Sequence, residues 1–327
     1  MSDLPLITSE DLANLAPEWA ALHVRIPGAT AFEHPAWAQV WLRNFGQDCA
    51  PVFLSIRRGD DLIGVAALDM ERAEARELGD HNVRDYAGPL ALPGEEDAVA
   101  AGILEWLRED LTPAVTFWGI PADSAMCSAI RRAADLGWRL SEAPEAACPG
   151  VDLPETFEEY AARLSKKDRH ELRRKLRNFV TAGVAKFRSY NAPGEIEARI
   201  ERLLEMMRLS RDDKDEFLTP RMEGFFRDLV ATFAPLGMLH LGVLTLDGAE
   251  VALTLSFENA EGVYLYNSGY DPACSHLSVG FVSKAMALED AIERGKRRFD
   301  FLRGDEDYKH RLGGIDRQVV TLRLASG

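Results

Sequence analysis

Sixteen residues near the C-terminus, FDFLRGDEDYKHRLGG from Phe299 to Gly314, run from an apolar strand into a knot of opposite charges. Strand alternation puts Asp300 and Leu302 on one face, with Phe299 and Phe301 on the other. Asp300 is then a carboxylate near a strand end, where it can orient a nucleophile or take its proton. Arg303 can pair with that carboxylate or with an acidic substrate. Tyr308 offers a phenolic proton, and Lys309 a cation to meet developing negative charge. The same residues would equally serve as an internal ion-pair network that fixes a loop.

Two further stretches carry chemistry. YDPACSHLSVGFVSKA (270–285) is a turn leading into a helix. Its residues His276, Leu277, Ser278, Val279 and Gly280 would present backbone amides at a helix N-terminus, a place suited to an anion. Ser278 is the expected N-cap, and Gly280 allows close backbone approach. A capped helix that binds nothing would have the same sequence. RLSKKDRHELRRKLR (163–177) sets eight Lys and Arg against two acids, Asp168 and Glu171. Lys167, Arg169 and Arg173 belong to this stripe. Arg169, Arg173 and Arg177 recur every four residues and share a helix face. Such a stripe binds phosphates or is simply a solvated face.

The elements that position these stretches follow from periodicity. Residues 9–45 read as mostly helical, with Ser9 as N-cap and a break at Pro27–Gly28; Trp37, Val40, Trp41 and Phe45 fall on one face. Residues 51–70 read as two strands around the turn Gly59–Asp61. A short strand, a helix over 94–110, a strand over 114–120 and a helix ending at Gly137 come next. Residues 141–154, rich in Pro, Ala and acid, read as a linker or crossover. The order then starts again: a long basic helix over 155–182, a strand, helices, three strands over 238–270, a helix over 279–294 and the strand that opens the charged knot. The repeated order predicts a mixed α+β chain of two duplicated domains, 1–150 and 151–327.

Composition narrows the function. The chain has 327 residues, 46% hydrophobic and 28% charged, within the range of globular proteins. A formal charge of −15 makes it a poor general binder of nucleic acid and argues against DNA as a partner. No apolar run is long enough to span a bilayer, and the N-terminus lacks a signal-peptide pattern, so the expected location is cytoplasmic. Cys49, Cys127, Cys148 and Cys274 form no C-x-x-C pair, and the seven histidines lack ligand spacing, so no metal is expected.

The stretches 164–188, 267–295 and 297–314 together resemble the Gcn5-related N-acetyltransferase (GNAT) superfamily. The likeness is closest to its tandem branch, the FemAB-like peptidyltransferases and CelD-like acetyltransferases. The pattern is S-K-x-x-R-x-x-L-R-R, then a Y-D-P turn with a Gly-led helix, then F-D-F-x-x-G-x-x-x-Y-K. The usual Q/R-x-x-G-x-G/A loop is absent; only Gly280 stands in that stretch. The resemblance implies two GNAT-like domains, each a mixed, mostly antiparallel sheet flanked by helices. It also implies transfer of an acyl group from acyl-coenzyme A to a small-molecule amine, with 276–280 at the pyrophosphate and Tyr308–Lys309 at the reacting centre. Asp85 and Tyr86, in the DYAGP stretch, and Tyr266 and Tyr270 are then substrate-side candidates. Two alternatives stay open: an aminoacyl transferase with transfer RNA as donor carrier, and a non-catalytic binding module.

Overall fold

The computed structural model describes residues 5–70, 74–210 and 212–326. The chain forms two compact units, Met1–Ala147 with Arg317–Gly327, and Cys148–Asp316.

In the first unit β1 (Leu6–Glu10) and α1 (Leu12–Val24) precede α2 (Pro35–Phe45), β2 (Pro51–Arg58) and β3 (Asp61–Asp69). Then come β4 (Ala75–Glu77), β5 (Leu90–Ala91), α3 (Glu96–Glu109), β6 (Ala114–Pro121), α4 (Ala125–Ala134) and the start of β7 (Trp138–Asp152). β1, β2 and β3 pair antiparallel in sequence, while β4 lies antiparallel to β3 and parallel to β6. Helices α3 and α4 cover one face, where Val99, Ile103, Leu107 and Ile130 meet Leu54, Ile63, Val115 and Phe117 in one apolar core. The fit is close: a Cβ on Gly64 of β3 would lie 2.4 Å from Val99 of α3.

The second unit opens with α5 (Phe157–Arg163) and α6 (Lys166–Thr181), followed by β8 (Ala185–Tyr190), α7 (Pro193–Glu197), α8 (Ile200–Ser210), α9 (Asp212–Phe217) and α10 (Pro220–Phe233). Next are β9 (Leu239–Leu246), β10 (Ala249–Glu258), β11 (Gly262–Tyr270), α11 (Val279–Glu293), β12 (Arg298–Asp300), α12 (Asp307–Arg311) and β13 (Ile315–Ser326). β8 to β11 form an antiparallel run, and β12 lies parallel to β11. Each unit therefore repeats hairpin, third strand, helix and parallel fourth strand. The fold is α+β, a mixed sheet flanked by helices, in tandem.

The strand that ends each half of the sequence runs on into the unit formed mainly by the other half. The end of β7, Gly150–Asp152, pairs antiparallel with β12. β13, the last strand of the chain, pairs antiparallel with β6 over Val319–Ala325. The segment 141–154, expected as a linker, is thus strand β7 as far as Asp152. The C-terminal residues, expected with the second domain, belong to the first unit from Arg317 on. Ser9 is no N-cap: it pairs with Leu54 inside β1, and Asp11 precedes the helix. The single helix expected over 155–182 is two helices. Ser165 breaks it by capping α6, its hydroxyl accepting from the Asp168 amide at 3.1 Å.

Candidate active site

A cavity of about 390 Å³ opens in the second unit, among α6, β11, α11 and α12. α11 sends Lys284 into it from its second turn, with Ser278, Val279, Gly280 and Phe281 at its start. β11 contributes Ser268 and Tyr270, and α6 contributes Lys175. α8 and α9 supply Ser210 and Lys214. Ser275 comes from the turn, and Glu306 and Tyr308 from the charged knot.

Three ammonium groups therefore face one space. Lys284, only 7% exposed, donates to the Gly280 carbonyl at 2.9 Å and lies 4.8 Å from the Tyr308 ring centroid. Lys214 donates to Asn267 Oδ1 at 3.1 Å and to the Ser268 carbonyl at 2.6 Å. Lys175 stands 4.6 Å over the Phe281 ring. Burial pulls its ammonium below the ordinary lysine range, against the attraction of Glu171 at 3.8 Å.

Of the turn and helix-start residues named from sequence, Ser278, Val279 and Gly280 line the cavity. His276 is exposed, its ring nitrogen 3.2 Å from the Ala273 carbonyl, and Leu277 packs in an apolar cluster with Val282. Ser278 holds the N-cap position but caps nothing with its side chain. Its backbone is left-handed, φ 56° and ψ 36°, at the junction between a short 3-10 turn and α11. At Gly280 a Cβ would sit 3.0 Å from the Tyr270 ring, so its smallness admits Tyr270.

The knot itself divides. Tyr308 lines the cavity, its ring edge-on to Phe301 at 6.1 Å. Lys309 does not line it; its Nζ is caged by the carbonyls of Leu302 (3.0 Å), Arg303 (2.6 Å) and Gly304 (3.2 Å) and by Glu306 Oε2 (2.9 Å). Asp300 is also buried. It pairs with Arg298 at 3.4 Å and accepts the Leu302 amide at 2.8 Å. The alternation expected through Leu302 ends early: β12 stops at Asp300, and Leu302 turns left-handed at φ 58°. Arg303 is half-buried and gives its carbonyl, not its guanidinium, to the cage.

On α6, Lys167 and Arg173 are exposed, and Arg169 donates to the Ala162 carbonyl. The cavity-facing cation of that helix is Lys175, which sequence reading passed over. Its spacing was a usable signal, since Leu172, Lys175 and Phe179 fall on the inner face. Lys284 sits four residues after Gly280, one turn into its helix. Lys214 lies in a segment read as a frayed end and loop. Tyr266 packs against Phe226 and Phe257, with centroids 5.9 and 5.0 Å apart, and Tyr270 lines the cavity. Asp85 and Tyr86 lie in the first unit; Tyr86 is 3% exposed, with Phe32 and the Arg317 guanidinium against its ring.

A domain model described as Acetyltransferase (GNAT) domain matches residues 166–310, the segment that holds the whole cavity. Among curated proteins no sequence matches the chain. Similar solved structures span both units. The structure described as FemX has a TM-score of 0.68 at 11% identity, covering 96% of each chain. The C-terminal domain of a putative lysylphosphatidylglycerol synthetase from Agrobacterium fabrum has 0.62 at 12%, covering 97% of this chain and 93% of that one. A tandem GNAT protein from the clavulanic acid biosynthesis pathway has 0.52 at 15%, covering 98% of each. Residues 166–310 are thus similar to a GNAT acetyltransferase domain, and the chain as a whole has a tandem fold like that of FemX and the tandem GNAT protein.

Proposed function

We propose that the protein is an N-acyltransferase that moves an acyl group from a coenzyme A thioester to a small polar amine in the cavity of the second unit. The observation that carries this reading is the meeting of Lys175, Lys214 and Lys284 at the start of α11, inside the GNAT segment. Clustered ammonium groups and helix-start amides fit the phosphates of such a donor. The chemistry asks little more than alignment. The amine lone pair attacks the thioester carbonyl, the C–N bond forms, and the C–S bond breaks with its electrons on sulfur. An ammonium acceptor gives up two protons overall: one reaches solvent, and one ends on sulfur as the free thiol. In this reading Tyr308, on the cavity wall, hands a proton to that sulfur and is refilled from the amine. A cytoplasmic location goes with this donor.

Coenzyme A is expected to raise the melting temperature of the protein, and Lys284→Met to weaken binding about tenfold by removing a charge-assisted contact to phosphate. No shift at millimolar coenzyme A would sink the reading. One observation favours a second donor. Lys166, Lys167, Arg173 and Arg177 are all exposed along the outside of α6, the helix whose inner face bears Lys175. A row of this kind suits the backbone of an aminoacyl transfer RNA. Binding of that RNA with an affinity that falls steeply with salt, and no binding of coenzyme A, would replace the first reading by this one.

A further inference from the structure

The sheet of the second unit ends in a strand with a free edge. β8 has β9 on one side and, among the described residues, no strand on the other. The pairing register says which backbone groups are left over. The Asp247 amide donates to the Val184 carbonyl at 3.0 Å, and the register runs on unbroken from there, Ala185 opposite Leu246 through Tyr190 opposite Leu241. In an antiparallel ladder, bonded and non-bonded pairs alternate. Lys186, Arg188 and Tyr190 therefore exchange bonds with β9, whereas the N–H and C=O of Ala185, Phe187 and Ser189 point away from it. None of these outward groups has a hydrogen-bond partner among the described residues. The side chains divide as well. Phe187 turns inward to pack with Phe179 and Leu244, and Ser189 donates to Asp290 Oδ1 at 2.7 Å. Lys186 and Arg188 lie on the opposite face, are exposed, and form no ion pair among the described residues. Cations on an edge strand keep like strands apart. A second β8 laid antiparallel and centred on Phe187 would set Lys186 of one copy opposite Arg188 of the other, twice, which disfavours self-pairing. The same cations favour a strand that carries acids.

We propose that the free edge of β8 is a docking strand for an extended acidic segment of a partner protein, which adds itself to the sheet. The segment's backbone pairs with Ala185, Phe187 and Ser189. Its alternate side chains are carboxylates that stand beside Lys186 and Arg188, and the apolar ones between them fall on the Phe187 face. The unpaired backbone groups favour a polypeptide over RNA or an anionic bilayer, since neither of those offers N–H and C=O at strand spacing. β8 contributes no residue to the cavity described above, so the inference is independent of the acyl-transfer reading.

The test is fluorescence anisotropy of the full chain with a short labelled peptide of alternating Glu and Val. Three further peptides serve as controls: one with Lys in place of Glu, one N-methylated at every Val and one N-methylated at every Glu. With Glu on the Lys186 face, the Val amides are the ones that meet β8. The expected result is binding of the parent peptide, none of the Lys peptide, none of the Val-methylated peptide, and retained binding of the Glu-methylated one. Lys186→Glu with Arg188→Glu is expected to weaken the parent about tenfold. Ala185→Pro removes an outward N–H and no ladder bond, so it is expected to weaken the peptide at an unchanged melting temperature. Should that variant unfold, the methylated peptides decide the matter on wild type. If the Val-methylated peptide binds as well as its parent, charge alone is at work and the inference falls. It falls too if the parent peptide does not bind, or if the Lys peptide binds equally. Self-association of wild type in sedimentation velocity, lost in Ala185→Pro, would give β8 to a second copy and overturn it as well.

Discussion

At the scale of single residues, two buried charges behave unlike the rest. Lys309 donates to three carbonyls and forms an ion pair with one carboxylate. Lys309→Met leaves those oxygens without their donor, and is expected to lower stability by about 3 kcal/mol in denaturant unfolding. A reacting lysine at the rim would give lost turnover with unchanged stability instead. Glu77 of β4 is 1% exposed, with Arg84 at 3.5 Å. Burial pushes its carboxyl up to about 7 in spite of the arginine. A carboxyl with a raised native pKa binds its proton more tightly when folded, so its contribution is greatest at low pH. As pH climbs from 4.5 toward 7, unfolded chains ionise while the native group stays protonated, and stability falls, by about 3 kcal/mol in all. Unfolding free energies measured from pH 5 to 8 should show this slope in wild type and lose it in Glu77→Gln; equal slopes in the two would refute the assignment. The candidate chemistry was partly legible at this scale. Tyr308 and Tyr270, both named from sequence, line the cavity. Asp300 and Lys309 do not; each is buried, and a buried charge must find its partners inside the fold, which sequence spacing does not reveal.

At the scale of elements, the site depends on how closely helices approach strands. Gly269 of β11 is the case beside the cavity: a Cβ there would stand 2.5 Å from the backbone of Met206 and Met207 in α8. Helix backbone cannot yield as a side-chain tip can. Gly269→Ala should therefore displace α8 from β11, cost about 2 kcal/mol, and misplace Ser210, Ser268 and Tyr270 around the cavity. The measurement is paired melting and coenzyme A titration, and a stable variant with unweakened binding would contradict it. Helices and hairpins with clear apolar periods, such as α2, α3 and β9–β10, were readable from sequence. The failures have physical causes. Ser9 has cap chemistry, but pairing with β2 claims its backbone first. β7 is exposed through its middle, so it shows no period-2 pattern and composition alone reads as linker. β13 alternates clearly at Val320, Leu322 and Leu324, but its first residues, Ile315–Gln318, are largely polar and exposed, so its start merges with the charged knot. α9 is six residues of charged sequence, too short for a period to show.

At the scale of the whole molecule, sequence order and spatial unit part company. Duplication was visible because each half repeats the same order of elements, but nothing in either half says which sheet its last strand will join. That depends on pairing between residues far apart in sequence. A chain ending at Asp316 is expected to leave the edge of β6 unpaired, so that the first unit aggregates or is digested while Cys148–Asp316 resists. Limited proteolysis with mass spectrometry decides it; a soluble, protease-resistant first unit would show that β13 is dispensable.

The exchanged strands also bear on how the protein is made. Arg317 reaches Asp123 across 194 residues of sequence. At roughly 5–20 residues per second of synthesis, the edge of β6 waits on the order of ten to forty seconds for its partner. The second half has all its strands, β7 included, before the first half has its own. The part of the chain born first is thus completed only after the second half has been made. That interval is the window in which a chaperone, or another nascent copy offering the same strand, would find it open.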